Sequence, residues 1–403
     1  MNEKVPKGWK KVKLREIAII NPSESLKKGQ IAKKVSMEMI RPFTKKIDFF
    51  LLERYNGGVK FKNGDTIVAR ITPSLENGKT AFIDFLENNE IGFGSTEFIV
   101  LRAIDEKSDK HFLYYFAISP EFRDIAIKSM TGSSGRQRVQ TDVVKEYEFY
   151  LPPLPEQQAI ADVLSSLDDK IDLLHRQNKT LEQMAETLFR KWFIEDAKED
   201  WEEVKLGEVL NKIESGSRPK GGIDPNLKTG IPSIGAENIN GLGNFDFSKV
   251  RYITNEFFKK IKQGIVQDYD VLIYKDGAYI GRKSMFGKGF PFKKFCVNEH
   301  VFILRVNDRL SQFFLYFLLN EEELRNFNTN SAQPGLNKGT MKNLSIILPP
   351  KNTTVKFDNF VKPLVDKIFL NGIQIRTLEN LRDALLPKLM SGELRVKLGD
   401  NYV

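Results

Sequence analysis

A stretch of 43 residues occurs twice in this 403-residue chain, and that repetition limits the architecture more than any other feature. Residues 151–193 align without a gap on residues 348–390, at a constant offset of 197, with 14 identities. Leu-Pro-Pro opens both copies, at Leu151 and Leu348. Asp169-Lys170-Ile171 answers Asp366-Lys367-Ile368, and Thr180-Leu181-Glu182 answers Thr377-Leu378-Glu379. Shared tripeptides in a gapless match exceed what common helical composition supplies, so the repeat is a duplication. Shorter echoes extend it. Trp9-Lys10-Lys11-Val12-Lys13-Leu14-Arg15-Glu16 returns as Trp201-Glu202-Glu203-Val204-Lys205-Leu206-Gly207-Glu208, and Phe98-Ile99-Val100-Leu101-Arg102 as Val301-Phe302-Ile303-Leu304-Arg305. Phe112-Leu113-Tyr114-Tyr115-Phe116 is matched by Phe314-Leu315-Tyr316-Phe317-Leu318. The chain therefore reads as block, long helix, block, long helix, over 1–150, 151–195, 196–347 and 348–403.

Each block mixes short β-rich runs, such as Thr66-Ile67-Val68-Ala69 and Asp270-Val271-Leu272-Ile273-Tyr274, with Gly/Asn/Pro turns and short helices. That is an α+β pattern. The repeated stretch is helical: Pro155 suits a first turn, and Glu156 suits the positive end of the helix dipole. Ile160, Leu164, Leu167, Ile171, Leu174, Asn178, Leu181, Ala185, Leu188 and Trp192 follow at alternating spacings of four and three. The copy gives Phe357, Val361, Leu364, Ile368, Asn371, Ile375, Leu378, Arg382, Leu385 and Leu389. Such a seam fits either a helix packed on its own block or a coiled coil. A length of ~50 Å, at ~1.5 Å per residue, is more than a small domain needs and favours the coiled coil. The expected fold is α+β: two duplicated α/β domains and two long coiled-coil helices. Pro363 and Pro387 are expected to break or kink the second helix near its ends.

Composition matters mainly for what it excludes. The 62 Lys+Arg against 53 Asp+Glu leave a net charge of +9, which suits a polyanionic partner but is common among basic proteins. Cys296 is the only cysteine, so neither an internal disulfide nor a Cys-based zinc site can form. His111, His175 and His300 are scattered without metal-ligand spacing. No apolar leader opens the sequence, and the longest apolar run, Phe313 to Leu319, is too short for a bilayer. The expectation is a cytoplasmic protein with no membrane partner.

Catalytic motifs fail one by one. Gly78-Lys79-Thr80 imitates the end of a P-loop, but Pro73 stands where the leading glycine is required. The Leu-Pro-Pro pairs carry Leu151 and Leu348 where the Asn-Pro-Pro-Tyr box of adenine methyltransferases has its amide. No glycine-rich nucleotide loop follows a strand, and no histidine sits beside a nucleophile elbow. The reading is a binding protein with no catalytic, cofactor or metal residues of its own.

The binding candidates are loop residues whose groups suit phosphates and base edges, Arg pairing with guanine and Gln with adenine. In the first block these are Ser133, Ser134, Arg136, Gln137 and Arg138, with Arg41, Lys45, Lys46, Arg70 and Lys79 as a comparable surface. In the second they are Ser217, Arg218, Lys220, Lys275, Tyr279, Arg282 and Lys283, with Gln333, Asn337 and Lys338 as the counterpart of the 132–138 loop. Any one of these loops alone reads as a solvated turn. Their recurrence at equivalent places is what points to DNA.

With these features the chain resembles the specificity subunits of type I restriction–modification systems over essentially its full length. The resemblance rests on Trp9 to Glu16 and its repeat, on Gly132 to Val139 leading into Leu151-Pro152-Pro153-Leu154-Pro155-Glu156-Gln157, and on Asp276-Gly277-Ala278-Tyr279-Ile280-Gly281. The closing Leu386-Pro387-Lys388-Leu389-Met390-Ser391-Gly392-Glu393-Leu394 adds to it. Lys351-Asn352-Thr353-Thr354 departs from the pattern where the first helix has Leu-Pro-Glu-Gln. The resemblance implies two α/β target-recognition domains, each reading half of a bipartite double-stranded DNA site, separated by the two long antiparallel coiled-coil helices as a spacer. It also implies two methyltransferase subunits bringing S-adenosylmethionine, and restriction subunits driven by ATP, with no cofactor in this chain. Two rival readings are a coiled-coil scaffold that does not bind DNA, separable by salt-dependent retention on DNA resin, and an enzyme of unfamiliar motif, separable by activity of the isolated chain.

Overall fold

The computed structural model describes residues 5–319, 324 and 335–397. The chain forms two compact units, residues 1–171 with 378–403, and residues 172–377. Each unit thus takes one block together with a segment of both long helices.

In the first unit an antiparallel sheet runs in the order Ala18–Ile20, Phe98–Ala103, Thr66–Ala69, Thr80–Phe82. The last two strands are buried at every position, which explains why Thr66–Ala69 reads as a continuous apolar run rather than an alternating one. Helix Lys110–Ile118 supplies Phe112 to Ile118 to a core shared with Val68, Ile99 and Leu101. Asp109 caps it, accepting from the amides of His111 and Phe112. A second sheet, Leu51–Arg54, Ile31–Val35, Gly92–Gly94, Val59–Phe61, borders a smaller core around Val35, Phe61 and Phe98. Strands Lys10–Lys13 and Glu148–Leu151 pair antiparallel, Lys10 opposite Leu151, and tie the two ends of the block together.

The second unit repeats this plan. Its sheet runs Leu210–Ser215, Val301–Val306, Val271–Tyr274, Lys283–Met285, Gly241–Leu242. Glu202–Lys205 pairs with Ser345–Leu348 as the closing ribbon, and Gln312–Leu318 is the core helix. A buried ion pair recurs at the same place in both sheets. Arg102 grips Asp65 through Nε (2.6 Å) and Nη2 (2.7 Å) and also reaches Glu24. Arg305 grips Asp270 at 2.7 and 2.6 Å, with Glu214 at 3.5 Å. The bidentate fork fixes the strand carrying each arginine against the turn carrying each aspartate.

The first long helix runs Leu154–Arg190 and passes into a single π-turn at Lys191–Glu195; the second runs Lys351–Met390. Pro363 and Pro387 do not interrupt it. A mid-helix proline forfeits about 3 kcal/mol. Phe357, Val361, Val365 and Ile368 around Pro363 are fully buried, each worth roughly 1.5–3 kcal/mol, and Pro363 itself faces solvent. Burial wins. Glu156 stands in the first turn, where the dipole favours it, and makes further contacts there. It is buried, and accepts from Trp9 Nε1 at 3.0 Å and Arg395 Nη2 at 2.8 Å, locking the helix start to the first block.

Within each unit the helix segments run antiparallel. In the first, Ile160 and Leu164 share a core with Leu386 and Leu389, and Asp168 pairs with Arg382 at 2.9 Å. In the second, Phe189 and Phe193 pack on Phe357, while Asn371 Nδ2 donates to Asn178 Oδ1 at 2.8 Å. The seam is therefore apolar with polar contacts at two levels, Asp168 with Arg382 and Asn371 with Asn178, where Asn371 Nδ2 also donates to Gln177 Oε1 at 2.9 Å.

Candidate nucleic-acid interface

In both units the site is built at the end of the central strand. In the first, strand Thr66–Ala69 runs out at Arg70, whose amide donates to Glu97 O and whose carbonyl accepts from Val139 N. Thr72 N donates to Gln137 O, so the 70–79 and 131–139 loops lie side by side. The second loop is a small hairpin closed by two bonds between Thr131 and Arg138, with Gly135 at φ +77° turning its tip. Ser133, Ser134 and Arg136 stand exposed on that tip.

Among the described residues, the second unit repeats both main-chain bonds of Arg70 and the bridge beside them. Strand Val271–Tyr274 runs out at Lys275, whose amide donates to His300 O and whose carbonyl accepts from Leu336 N. The bridge Ile71–Arg138 in the first unit becomes Asp276–Gly335 in the second. Glu97 and His300 are thus counterparts, each one residue ahead of the repeated Phe98 and Val301 strand.

The chemistry of the two edges differs. In the first, Arg138 forks onto Glu97 through Nε (3.0 Å) and Nη2 (2.6 Å), and this hydrogen-bonded guanidinium holds the Glu97 carboxyl below the usual carboxylate range. In the second, His300 Nδ1 lies 2.7 Å from Asp276 Oδ2, and the Arg282 guanidinium stacks 4.1 Å from the centre of an exposed Tyr279 ring. A cavity of about 360 Å³ opens beside them, lined by Arg218, Arg251, Tyr274, Asn298, Glu299 and His300 among others. Arg218 contacts Glu299 at 3.1 Å. Gly216 lets that loop approach: a Cβ there would stand 1.7 Å from Val297 O.

The remaining candidates divide sharply. Lys45 is buried; its amine donates to Ser165 Oγ at 2.7 Å, and burial pulls its pKa down. Lys79 donates to Met37 O at 2.8 Å, and Lys283 to the carbonyls of Tyr316 and Leu319 at 2.5 Å, so these two brace main chain. Lys275 lies over the Phe302 ring, 5.2 Å from its centre. Arg41 pairs with Asp48 at 2.8 Å and Lys46 with Asp169 at 3.5 Å. Ser217 is half-buried, whereas Lys220 and Lys338 are exposed. Asn337 caps the helix Lys338–Lys342 through Thr340 N. Gln333 lies outside the described residues.

Glu97, Asp276, His300 and Glu299 are not among the sequence candidates, which are basic, hydroxyl and amide groups. An acceptor at such an edge can read the cytosine amino group as an arginine reads guanine. Their signal was positional: they precede the repeated strand or follow the central one.

The comparisons with known proteins agree with this geometry. A family described as "Type I restriction modification DNA specificity domain" matches residues 6–183 and again 198–380. The type I restriction enzyme MjaIX specificity subunit of Methanocaldococcus jannaschii is 31% identical over 315 residues, 71% of this chain and 69% of that protein. The HindI specificity subunit of Haemophilus influenzae is 25% identical over 403 residues, covering 83% and 87%. The crystal structure of a type I restriction–modification S subunit from M. genitalium shares the fold, with a TM-score of 0.58 at 15% identity over 97% of each chain. Among the described residues no helix is long and apolar enough to cross a membrane. The chain belongs to the type I restriction–modification DNA specificity family, and it is a specificity subunit carrying the specificity domain twice.

Proposed function

We propose that this specificity subunit reads a bipartite double-stranded DNA site, one half with each paired-loop edge, and directs partner adenine methyltransferase and restriction subunits to it. One observation carries the reading. The same strand-end junction is built twice on the same bonds, yet presents Arg136, Arg138 and Glu97 in one copy and Tyr279, Arg282 and His300 in the other. A repeated frame with different exposed groups is what reading two different half-sites requires. The chain contributes binding, while S-adenosylmethionine, ATP and the chemistry reside in the partners, in the cytoplasm.

The outer faces of the long helices support two copies of one partner. Val163, Ser166, Lys170, Leu173, Gln177, Thr180 and Met184 recur at spacings of three and four, and all are exposed. Their counterparts at the offset of 197 are Phe360, Pro363, Lys367, Leu370, Gln374, Thr377 and Leu381, likewise exposed. Four of these seven pairs are identical, against four of ten in the buried seam. Gln177 accepts from Asn371 Nδ2 at 2.9 Å across the seam, but Lys170, Leu173 and Thr180 are identical in the copy as well, Phe360 is 60% and Leu370 53% exposed, and solvated positions drift unless something touches them. We assign these stripes to the methyltransferase subunits. Methylation mapping of DNA from cells expressing the chain with its methyltransferase should yield a two-part adenine-methylated motif. An undivided motif, or methylation by the purified chain alone, would overturn the proposal.

A further inference from the structure

The buried seam differs between copies at a few matched places, and the differences are coordinated. In the first unit Asp168 Oδ1 meets Arg382 Nη1 at 2.9 Å, both side chains 8% exposed, and Asp168 Oδ2 accepts from Tyr115 OH at 2.7 Å. The duplication offset places Val365 opposite in role to Asp168, and Ala185 to Arg382; both are fully buried. The tyrosine hydroxyl vanishes with them, because Phe317 is the counterpart of Tyr115. The second contact, Asn178 with Asn371 at 2.8 Å, has Ile375 and Leu174 as its buried counterparts. Every polar seam residue therefore meets a polar partner from the other helix and never its own counterpart.

We infer that these four residues form a pairing code that makes the first long helix accept the second and refuse another copy of itself. The two helices share an apolar heptad pattern, so seam hydrophobicity alone would let a first helix pair with the first helix of a second chain. In that pairing Arg382 is replaced by Ala185 and Asn371 by Leu174. Asp168 and Asn178 are then buried against apolar side chains, twice over by symmetry. Two second helices fare no better: Arg382 would face Val365 and Asn371 would face Ile375, with Gln374 in the place of Gln177, which accepts from Asn371 Nδ2 at 2.9 Å, as its one remaining amide contact. Asp168 would keep only Tyr115 OH, and Arg382 only Asp383 of its own helix and Phe43 O, so each buried charge loses the partner buried with it, at a cost in stability. The code holds each chain closed on itself among other chains of the same pattern.

The test uses full-length chains. One carries Arg382→Asp and so has two acids at the contact; the other carries Asp168→Arg and has two arginines. Each alone is mismatched within the chain, but an exchanged pair restores an acid–arginine contact at both sites. Co-refolding the two, with one isotopically labelled, should give heterodimers by native mass spectrometry at least tenfold above those from two wild-type preparations. A heterodimer yield equal to the wild-type mixture would overturn the code. A second variant replaces each residue by its counterpart: Asp168→Val, Arg382→Ala, Asn178→Ile and Asn371→Leu. It should fold and form concentration-dependent dimers at concentrations where the wild type does not. A folded quadruple variant with wild-type association would likewise overturn the proposal.

Discussion

The two units share a frame and differ at their edges, and the division falls along a physical line. Both keep the closing ribbon, a central sheet with the same three antiparallel strands and the buried fork of Arg102 on Asp65 or Arg305 on Asp270. Neither keeps the edge groups: the first edge presents an exposed Arg136 and an Arg138 held by Glu97, the second a stacked Tyr279–Arg282 and a His300–Asp276 contact. Buried contacts resist change because each partner's loss leaves a desolvated group behind. Exposed loop tips carry no such constraint. A duplicated chain can thus vary what it reads without disturbing how the reading edge is held.

The largest expected effect breaks this comparison at the frame. Replacing Arg102 by Met leaves Asp65, which is fully buried, and Glu24 without their cation. Removing one partner of a buried pair costs roughly 3–5 kcal/mol. Hydrogen exchange should accelerate in strands Thr66–Ala69 and Phe98–Ala103 while Val271–Tyr274 and Val301–Val306 stay protected. Arg305→Met should do the converse. Equal loosening of both units by either variant would show that the frames are not separate.

How far the sequence revealed this arrangement depended on where the physics is local. The duplication, the heptads and the apolar strand runs are periodic patterns, and each became the element expected. The prolines do not break the second helix, because their penalty is local, whereas the burial of Phe357, Val361 and Val365 that outweighs it is tertiary. Lys45 looked like its neighbour Lys46, yet one is buried over the rings of Tyr114 and Tyr115 and the other is not. Nothing in a run of two lysines tells which will be swallowed. Glu97 and His300 are not legible as edge groups from residue type, since carboxylates and imidazoles are common on any surface, though their place beside the repeated strand marks them.

A middle-sized effect sharpens the comparison at the edges. Arg136→Ala removes an exposed guanidinium from the first tip, and Arg282→Ala removes the one stacked on Tyr279. A good base contact is worth about 1–3 kcal/mol, or roughly 10–100-fold in discrimination. Binding of the methyltransferase-bound chain to DNA altered in one half-site should show Arg136→Ala relaxing only the first half, and Arg282→Ala only the second. If either variant merely weakens binding to all DNA and lowers the salt slope by about one, its guanidinium touches phosphate and reads no base. Relaxation of both halves by one substitution would refute independent edges.

The smallest perturbation leaves both edges intact and changes only what lies between the halves of the site. The long helices are continuous over 37 and 40 residues, so an added turn in both should be carried along their length. Its position matters. Asn178 faces Asn371, and their counterparts Leu174 and Ile375 occupy the matching place one turn away. Four residues inserted after Leu174 in one helix and before Ile375 in the other therefore stand opposite each other and leave every remaining seam contact paired. Insertions at Thr180 and Thr377, though equivalent by the duplication, would instead offset the seam on both sides. Four residues add roughly 6 Å at ~1.5 Å per residue, or one to two base pairs at ~3.4 Å each. They also rotate the helix about 40° past a full turn, a stutter that a coiled coil absorbs by local unwinding. Methylation mapping should then find the same two half-sites with a spacer longer by one or two base pairs. An active variant with an unchanged spacer would show that the helices only support their own units, and that the bound methyltransferases set the gap.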